Sequence, residues 1–316
     1  METTIVKTIS IITPCYNEEL SILGCIKAIE SLFAEKLPEY NYEHIICDNA
    51  SSDGTLELLR GAARENPRVK VIVNARNFGI LKNTYNGVMA ATGDAVLLFM
   101  PVDLQDPPEM IPEFVRHWEE GYEIVYGLRA KREEGILLRA ARKLYYRMLS
   151  RLSYVDYPPD AGDFQLIDRR VHDAMKKVSD AQPFMRLMTF DAGFRSIGVK
   201  YTWRAREHGK SRNRLRDMVD QGLNGIISFS GAPVRIALMA GFFVALASTI
   251  YAMAVIVLGA LGKIDAPEGT TTIIAAIFFF GGIQIFLTAL IGEYVLATFA
   301  QARRKPLVNE RERINF

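Results

Sequence analysis

Much of what organises other chains is scarce in this one. Three cysteines, Cys15, Cys25 and Cys47, stand in 316 residues at spacings that match no metal motif. They read as reduced, cytosolic and structural, which sets aside a disulfide framework. No G-x-G-x-x-G and no Walker sequence occurs, so neither a dinucleotide fold nor a P-loop is supported. Charge of one sign is not in excess: 38 Lys and Arg against 36 Asp and Glu leave a net +2, which argues against a nucleic-acid binder. The opening METTIVKTIS has too short an apolar run for a secretory h-region, so export of the N-terminal part is not expected.

Long apolar runs, by contrast, are present and late. Ile236 to Gly262 is 27 residues without a charge, and Thr270 to Gly292 is 23, interrupted by Gln284. Both exceed the roughly 20 residues that cross a hydrocarbon core. The turn between them, Lys263 to Gly269, is short and carries one positive and two negative charges, while Arg303-Arg304-Lys305 follow the second run. The positive-inside rule then predicts a multi-pass protein of the inner (plasma) membrane, with both termini and the N-terminal head cytoplasmic. Lys200, Arg204, Arg206, Lys210, Arg212, Arg214 and Arg216 crowd the approach to the first run. They read either as a solvated face or as a cluster drawn to anionic headgroups. Leu215, Met218, Val219, Leu223, Ile226, Ile227 and Phe229 recur beside them at helical spacing, fitting an amphipathic helix in the interface or one packed on the head.

The first 200 or so residues alternate β-branched runs with helical patterns. Strands are expected at Ile9–Thr13, His44–Asp48, Val69–Val73 and Ala95–Met100, with helices near 19–33, 55–65 and 81–91. That order implies a parallel sheet covered on both faces, with ligands at the carboxyl ends of the strands. Polar residues gather there: Pro14, Tyr16, Asn17 and Glu18 after the first strand, Asp48 to Asp53 after the second, Arg76 and Asn77 after the third, Asp103 to Asp106 after the fourth. Each group alone is equally good turn or N-cap chemistry. Without a glycine-rich cradle, a bound diphosphate needs a cation. Asp103 and Gln105, two apart on an extended segment, fit Mg²⁺ or Mn²⁺ with waters and phosphates completing the shell; the alternative is a turn opening the helix after Pro107-Pro108.

These motifs together resemble the polyprenyl-phosphate glycosyltransferases of glycosyltransferase family 2, a group that includes bactoprenol glucosyltransferases and, more distantly, dolichol-phosphate mannose synthase. The likeness runs through Pro14-Cys-Tyr-Asn-Glu18, Asp48 to Thr55, Arg76-Asn-Phe-Gly79, Ala91 to Asp94, Asp103 to Glu109, Gly162-Asp-Phe-Gln165, Gly209 to Arg212 and Ile291-Gly-Glu-Tyr294. It implies an α/β head of GT-A type with a mostly parallel sheet, spanning 1–212, then a juxtamembrane helix (213–231), two transmembrane helices within 232–300 (about 234–262 and 270–298) and a basic cytoplasmic tail (301–316). It further implies that Pro14, Tyr16, Glu18, Asp48 and Arg76 bind the nucleotide, that Asp103 and Gln105 hold the metal, and that Asp163 is the catalytic base, with Asp160 its rival. Two positions depart from the family: Pro101 stands where another Asp is usual, and Asn213 where Tyr or Trp is frequent.

The expected partners are a UDP- or GDP-sugar, with UDP-glucose the first choice, a polyprenyl phosphate such as undecaprenyl phosphate, and the bilayer. A further copy of the chain and a separate downstream flippase are expected as well. Arg206 and Arg212 would assist the diphosphate, and Arg129 and Arg132, placed after the fifth strand, would hold the lipid phosphate in bidentate fashion or simply face solvent. Single displacement would invert the anomeric centre. The competing functions are a processive, polymer-forming transferase and a non-catalytic scaffold for a lipid-linked sugar.

Overall fold

The computed structural model describes residues 6–129, 158, 161–178, 180, 183–202, 239, 243, 250, 261, 269–303 and 305–316. Its centre is an eight-stranded sheet: β1 (Thr8–Cys15), β2 (Asn41–Asp48), β3 (Val69–Asn74), β4 (Ala95–Leu97), β5 (Ile124–Arg129), β6 (Ala161–Asp168), β7 (Ser196–Tyr201) and β8 (Glu310–Ile314). The spatial order is β7-β5-β6-β4-β1-β2-β3-β8. Strands β4, β1, β2 and β3 run parallel, β6 is antiparallel to both β4 and β5, and β7 is parallel to β5.

Burial on both faces explains why the parallel strands read as nearly unbroken apolar runs. Ile9 and Ile11 pack with α1 (Ile22–Lys36) and α4 (Ile111–Glu119), and Ile46, Val71 and Val73 with α1 and α2 (Thr55–Glu65). Ile12, Ile45 and Cys47 point the other way, under α3 (Ile80–Ala90), close to where a side chain at Gly87 would lie. Helix α1 shows the logic: Ile22, Cys25, Ile26, Ile29, Leu32 and Phe33 form its buried stripe, spaced for one helical face. Each large apolar side chain so buried stabilises the fold by roughly 2 kcal/mol.

The expected strand Ala95–Met100 stops at Leu97 because its neighbours change. Leu98 N–H turns to the Gln165 carbonyl and Met100 N–H to that of Ile12, so the bonds continue without a ladder. Arg129 is the last residue of β5, and Asp163 lies within β6. Two short helices follow among the described residues of the head, α5 (Arg169–Lys176) and α6 (Met185–Asp191).

The C-terminal residues were expected as a basic tail. Instead β8 pairs antiparallel with β3, and Lys305–Phe316 belong to the same compact unit as the head, whereas Ile226–Arg304 fall in another. Of the expected hairpin, the first apolar run is described only at Met239, Phe243, Ile250 and Leu261. The second forms α7 (Thr270–Ala302), a 33-residue helix. Among the described residues no helix qualifies as a membrane span.

Candidate active site

The strand order β3-β2-β1-β4 reverses direction between β1 and β4, the place where open parallel sheets form a ligand crevice. The four loops leaving the carboxyl ends of these strands each contain one left-handed residue: Asn17 (φ 54°), Ala50 (φ 62°), Gly79 (φ 85°) and Leu104 (φ 50°). For the non-glycine residues this conformation costs about 1 kcal/mol or more each, and such strain gathers at functional sites.

The first two loops are welded together. Asn17 N–H donates to Ser51 Oγ at 2.9 Å, and its side chain accepts from Ser52 N–H at 2.8 Å. Glu18 N–H donates to Thr55 Oγ1 at 2.9 Å, and Gly54 N–H to Glu19 Oε2 at 2.8 Å. Pro14 is buried in β1 beyond its last pair with β4, Ile11 with Leu97. Tyr16 and Glu18 are half-buried at the rim. Asp48 is fully buried and accepts Ser51 N–H through both oxygens, at 3.3 and 3.2 Å. Burial pushes its carboxyl above the ordinary range, against the pull of those bonds. It therefore underpins the loop rather than projecting from it.

The third loop rests on a chain of asparagines. Asn49 Oδ1 accepts from Phe78 N–H at 2.9 Å, and Asn77 Oδ1 accepts from Gly79 N–H at 2.9 Å and from Asn49 Nδ2 at 3.0 Å. The guanidinium of Arg76 lies 3.9 Å from the Phe78 ring centroid.

In the fourth loop Leu104 N–H donates to the Pro101 carbonyl at 3.0 Å, closing a turn that sets Asp103 and Gln105 on either side of a left-handed residue. They supply one carboxylate and one amide oxygen. Among the described residues no group of three His, Cys, Asp or Glu side chains stands ready to hold a metal, and Pro101 adds no ligand. The donor set fits an oxygen-seeking ion that takes its remaining ligands from water and a phosphate, as Mg²⁺ or Mn²⁺ does, and not one caged by protein alone.

Beyond the turn, the buried Asp106 holds Arg129 through Nη2 at 3.2 and 3.3 Å and accepts from the Tyr201 hydroxyl, to which Arg129 Nε donates at 3.0 Å. Burial raises the Asp106 carboxyl, opposed by Arg129. A second pair sits on β6 and α6, where Arg186 donates to both oxygens of Asp163, at 3.1 and 2.5 Å. The expected phosphate ligand Arg129 and the expected base Asp163 thus each come with a partner of opposite charge. Arg132, Arg206, Arg212 and Asp160 lie outside the described residues. Sequence reasoning missed Arg186 and Tyr201, which belong to no motif, and passed over Asp106, which does.

Similarity to known proteins follows the same division. The profile of Glycosyl transferase family 2 matches residues 10–176, and that of the GtrB C-terminal hairpin matches 232–297. An uncharacterized glycosyltransferase of Bacillus subtilis (strain 168) is 34% identical over 94% of this chain and 91% of its own length. A prophage bactoprenol glucosyl transferase homolog of Escherichia coli (strain K12) is 30% identical over 94% and 96%. The solved glucosyl-3-phosphoglycerate synthase of Mycobacterium tuberculosis with uridine-diphosphate matches at TM-score 0.47 and 22% identity, over 70% of this chain and 78% of that one. On the full-length relatives and the match to more than half of its residues, the chain belongs to glycosyl transferase family 2 and is a glycosyltransferase.

Proposed function

We propose that this protein transfers a hexose, glucose from UDP-glucose in the first instance, to the phosphate of a polyprenyl lipid such as undecaprenyl phosphate at the cytoplasmic face of the membrane. The observation that carries this is the segment 101–107. It offers the Asp103 and Gln105 oxygens where a donor diphosphate would sit, and the next residue, Asp106, grips an arginine suited to a second phosphate. Full-length relatives named as bactoprenol glucosyl transferases support the lipid acceptor and the sugar.

The nucleotide is held by the welded loops after β1 and β2 and by the Arg76 loop, with Tyr16, Glu18 and Arg76 at the rim and Pro14 and Asp48 shaping the floor. A divalent ion on Asp103 and Gln105 would supply positive charge to the departing diphosphate. The acceptor phosphate is already an anion, so positioning and charge neutralisation are the main requirements. Arg129 and Arg186, each oriented by its carboxylate partner, donate hydrogen bonds to it, and Arg132, Arg206 and Arg212 are further candidates to offset its charge. An acceptor oxygen bonds to the anomeric carbon as the bond to the diphosphate breaks, which inverts that centre. With a second pKa near 6, the acceptor is mostly dianionic at pH 7; Asp163 is then spent mainly on orienting Arg186, and proton removal is secondary.

The membrane assignment rests on sequence: α7 carries no charge from Thr270 to Gly292. Along the helix Ile273, Ile277, Ile291, Val295 and Phe299 are exposed, and so many bare apolar side chains need an apolar surrounding.

The test uses the purified full chain in detergent with undecaprenyl phosphate, Mn²⁺ or Mg²⁺, and a panel of UDP- and GDP-sugars, with mass spectrometry of the extracted lipid. A hexosyl phospholipid formed by wild type and lost in Asp103→Ala is expected. No lipid product from any donor by a folded, nucleotide-binding protein refutes the assignment, and a product of retained configuration refutes single displacement.

A further inference from the structure

The strand β8 does more than cover an edge. It meets β3 at the point where β3 becomes the Arg76 loop. The register shifts by one residue there, so that Val73 faces Glu312 but Asn74 faces Glu310; a bulge of this kind re-aims the backbone. The shift lets the Asn309 carbonyl accept from Ala75 N–H at 2.9 Å. It also brings Glu310 Oε1 to Asn86 Nδ2 of α3 at 2.6 Å, with Arg313 bracing Glu310 at 2.6 and 2.8 Å. At the other end of β3, Asn315 Nδ2 donates to the carbonyls of Ala63 and Val69, at 2.6 and 2.9 Å.

From Asn74 the contact passes inward. Its side chain is buried, and Nδ2 donates to Asn49 Oδ1 at 3.1 Å and to Asn83 Oδ1 at 2.7 Å. Backbone groups fix the orientation of this network: Phe78 N–H requires an oxygen on Asn49, and the Cys47 carbonyl requires the Asn83 amide nitrogen at 2.7 Å. Asn74 must therefore turn its nitrogen to both, and among the described residues its own Oδ1 finds no partner. An unmet buried acceptor is costly. It persists here at a residue that pairs with β8 and leads, through Ala75, into the loop carrying Arg76, Asn77, Phe78 and Gly79.

We propose that β8 is a positioning element of the nucleotide site: by pairing with Asn74 and Ala75 it sets the Arg76 loop in its nucleotide-binding form through the Asn74, Asn49 and Asn83 side chains. The inference rests on the assignment of the strand-end loops to the donor nucleotide. It makes residues 305–316, reached only after the apolar hairpin, part of the head's binding site.

Calorimetric binding of UDP and of GDP, each with Mn²⁺, to the full chain in detergent tests it. Glu310→Ala and Asn86→Ala are each expected to weaken binding of the preferred nucleotide about threefold, while kcat at saturating donor holds. A chain lacking 305–316 is expected to bind at least tenfold more weakly and to recover when a synthetic 305–316 peptide is added. Arg60→Ala is the control, since it frees Glu312 of the same strand away from the loop and is expected to leave affinity unchanged. Wild-type affinity in both point variants overturns the inference, as does an equal loss in Arg60→Ala, which would mark β8 as a general support. If the truncated chain does not fold, the point variants still decide. Failure of the wild type to bind either nucleotide overturns the donor-site assignment and the inference with it; normal wild-type binding unchanged in the variants overturns the inference alone.

Discussion

At the scale of single residues, the pairing of Arg186 with Asp163 through both carboxylate oxygens separates two roles for Asp163. If it removes a proton from the acceptor, Asp163→Asn loses most activity where the phosphate is monoprotonated, below its second pKa near 6. If it orients Arg186, the loss is flat across pH 6 to 8 and falls on acceptor KM. The flat profile is expected, with Arg186→Ala raising acceptor KM about tenfold and Arg186→Lys failing to restore it, because a lysine cannot make the two-pronged contact. A loss in Asp163→Asn that deepens toward pH 6 would return Asp163 to the base role. Two buried histidines give a further prediction. Burial drives the pKa of His44 to about 3 and that of His172 to about 4, while both titrate near 6.5 when unfolded. The unfolded chain thus binds more protons between those limits, and stability falls as pH drops from 6.5. Between pH 7 and 5 the loss is about 2 kcal/mol per histidine. Asp48 and Asp106, raised by burial, act in the opposite sense from their ordinary range upward. The comparison is therefore made between wild type and a His44→Asn, His172→Gln double variant, whose melting temperature is expected to lose less between pH 7 and 5; an equal loss removes the assignment.

At the scale of elements, α3 lies so close to the sheet that only glycine fits at position 87, where a Cβ would sit 2.9 Å from Ile12 Cγ2 and collide with Cys47 Sγ. Gly87→Ala is expected to destabilise the head by about 1–3 kcal/mol, read as a lowered melting midpoint, whereas Gly61→Ala on α2, where nothing lies within 4 Å, is expected to raise it slightly. An unchanged midpoint for Gly87→Ala would mean that α3 shifts freely. The elements that sequence located well are those whose pattern is local. Helix α2 falls at Thr55–Glu65 as its periodicity indicates, and the four parallel strands stand where β-branched runs do. β8 gave no such sign: Glu-Arg-Glu-Arg-Ile has no apolar alternation. Its strand form comes from pairing with β3, and a charged sequence suits a sheet edge. The site divides likewise. The strand-end loops were legible because strand order places them together, but the partners of Arg129 and Asp163 were not, since Tyr201 and Arg186 lie far along the chain from both.

At the scale of the whole molecule, the head is joined at both ends to the apolar segment: residues before Ile226 lead into it, and Lys305–Phe316 return to the head's own unit after it. If the segment crosses a membrane as proposed, two passes would put the returning strand on the side from which the chain departed, whereas one pass or three would leave β8 across the bilayer from β3. The pairing of β8 with β3 is compatible only with an even number of crossings, a condition that the proposed two-pass hairpin would meet and that the charge-bias argument does not use. Cysteine labelling checks it cleanly, because all three native cysteines are buried and contribute little background. In intact cells an impermeant maleimide is expected to label Ala266→Cys, in the turn between the runs, and to spare Gln301→Cys and Lys305→Cys until the membrane is opened. Labelling of Lys305→Cys from outside would place β8 and β3 in different compartments and overturn the hairpin, while sparing of all three in intact cells, with labelling once the membrane is opened, would mean that the apolar runs do not cross at all.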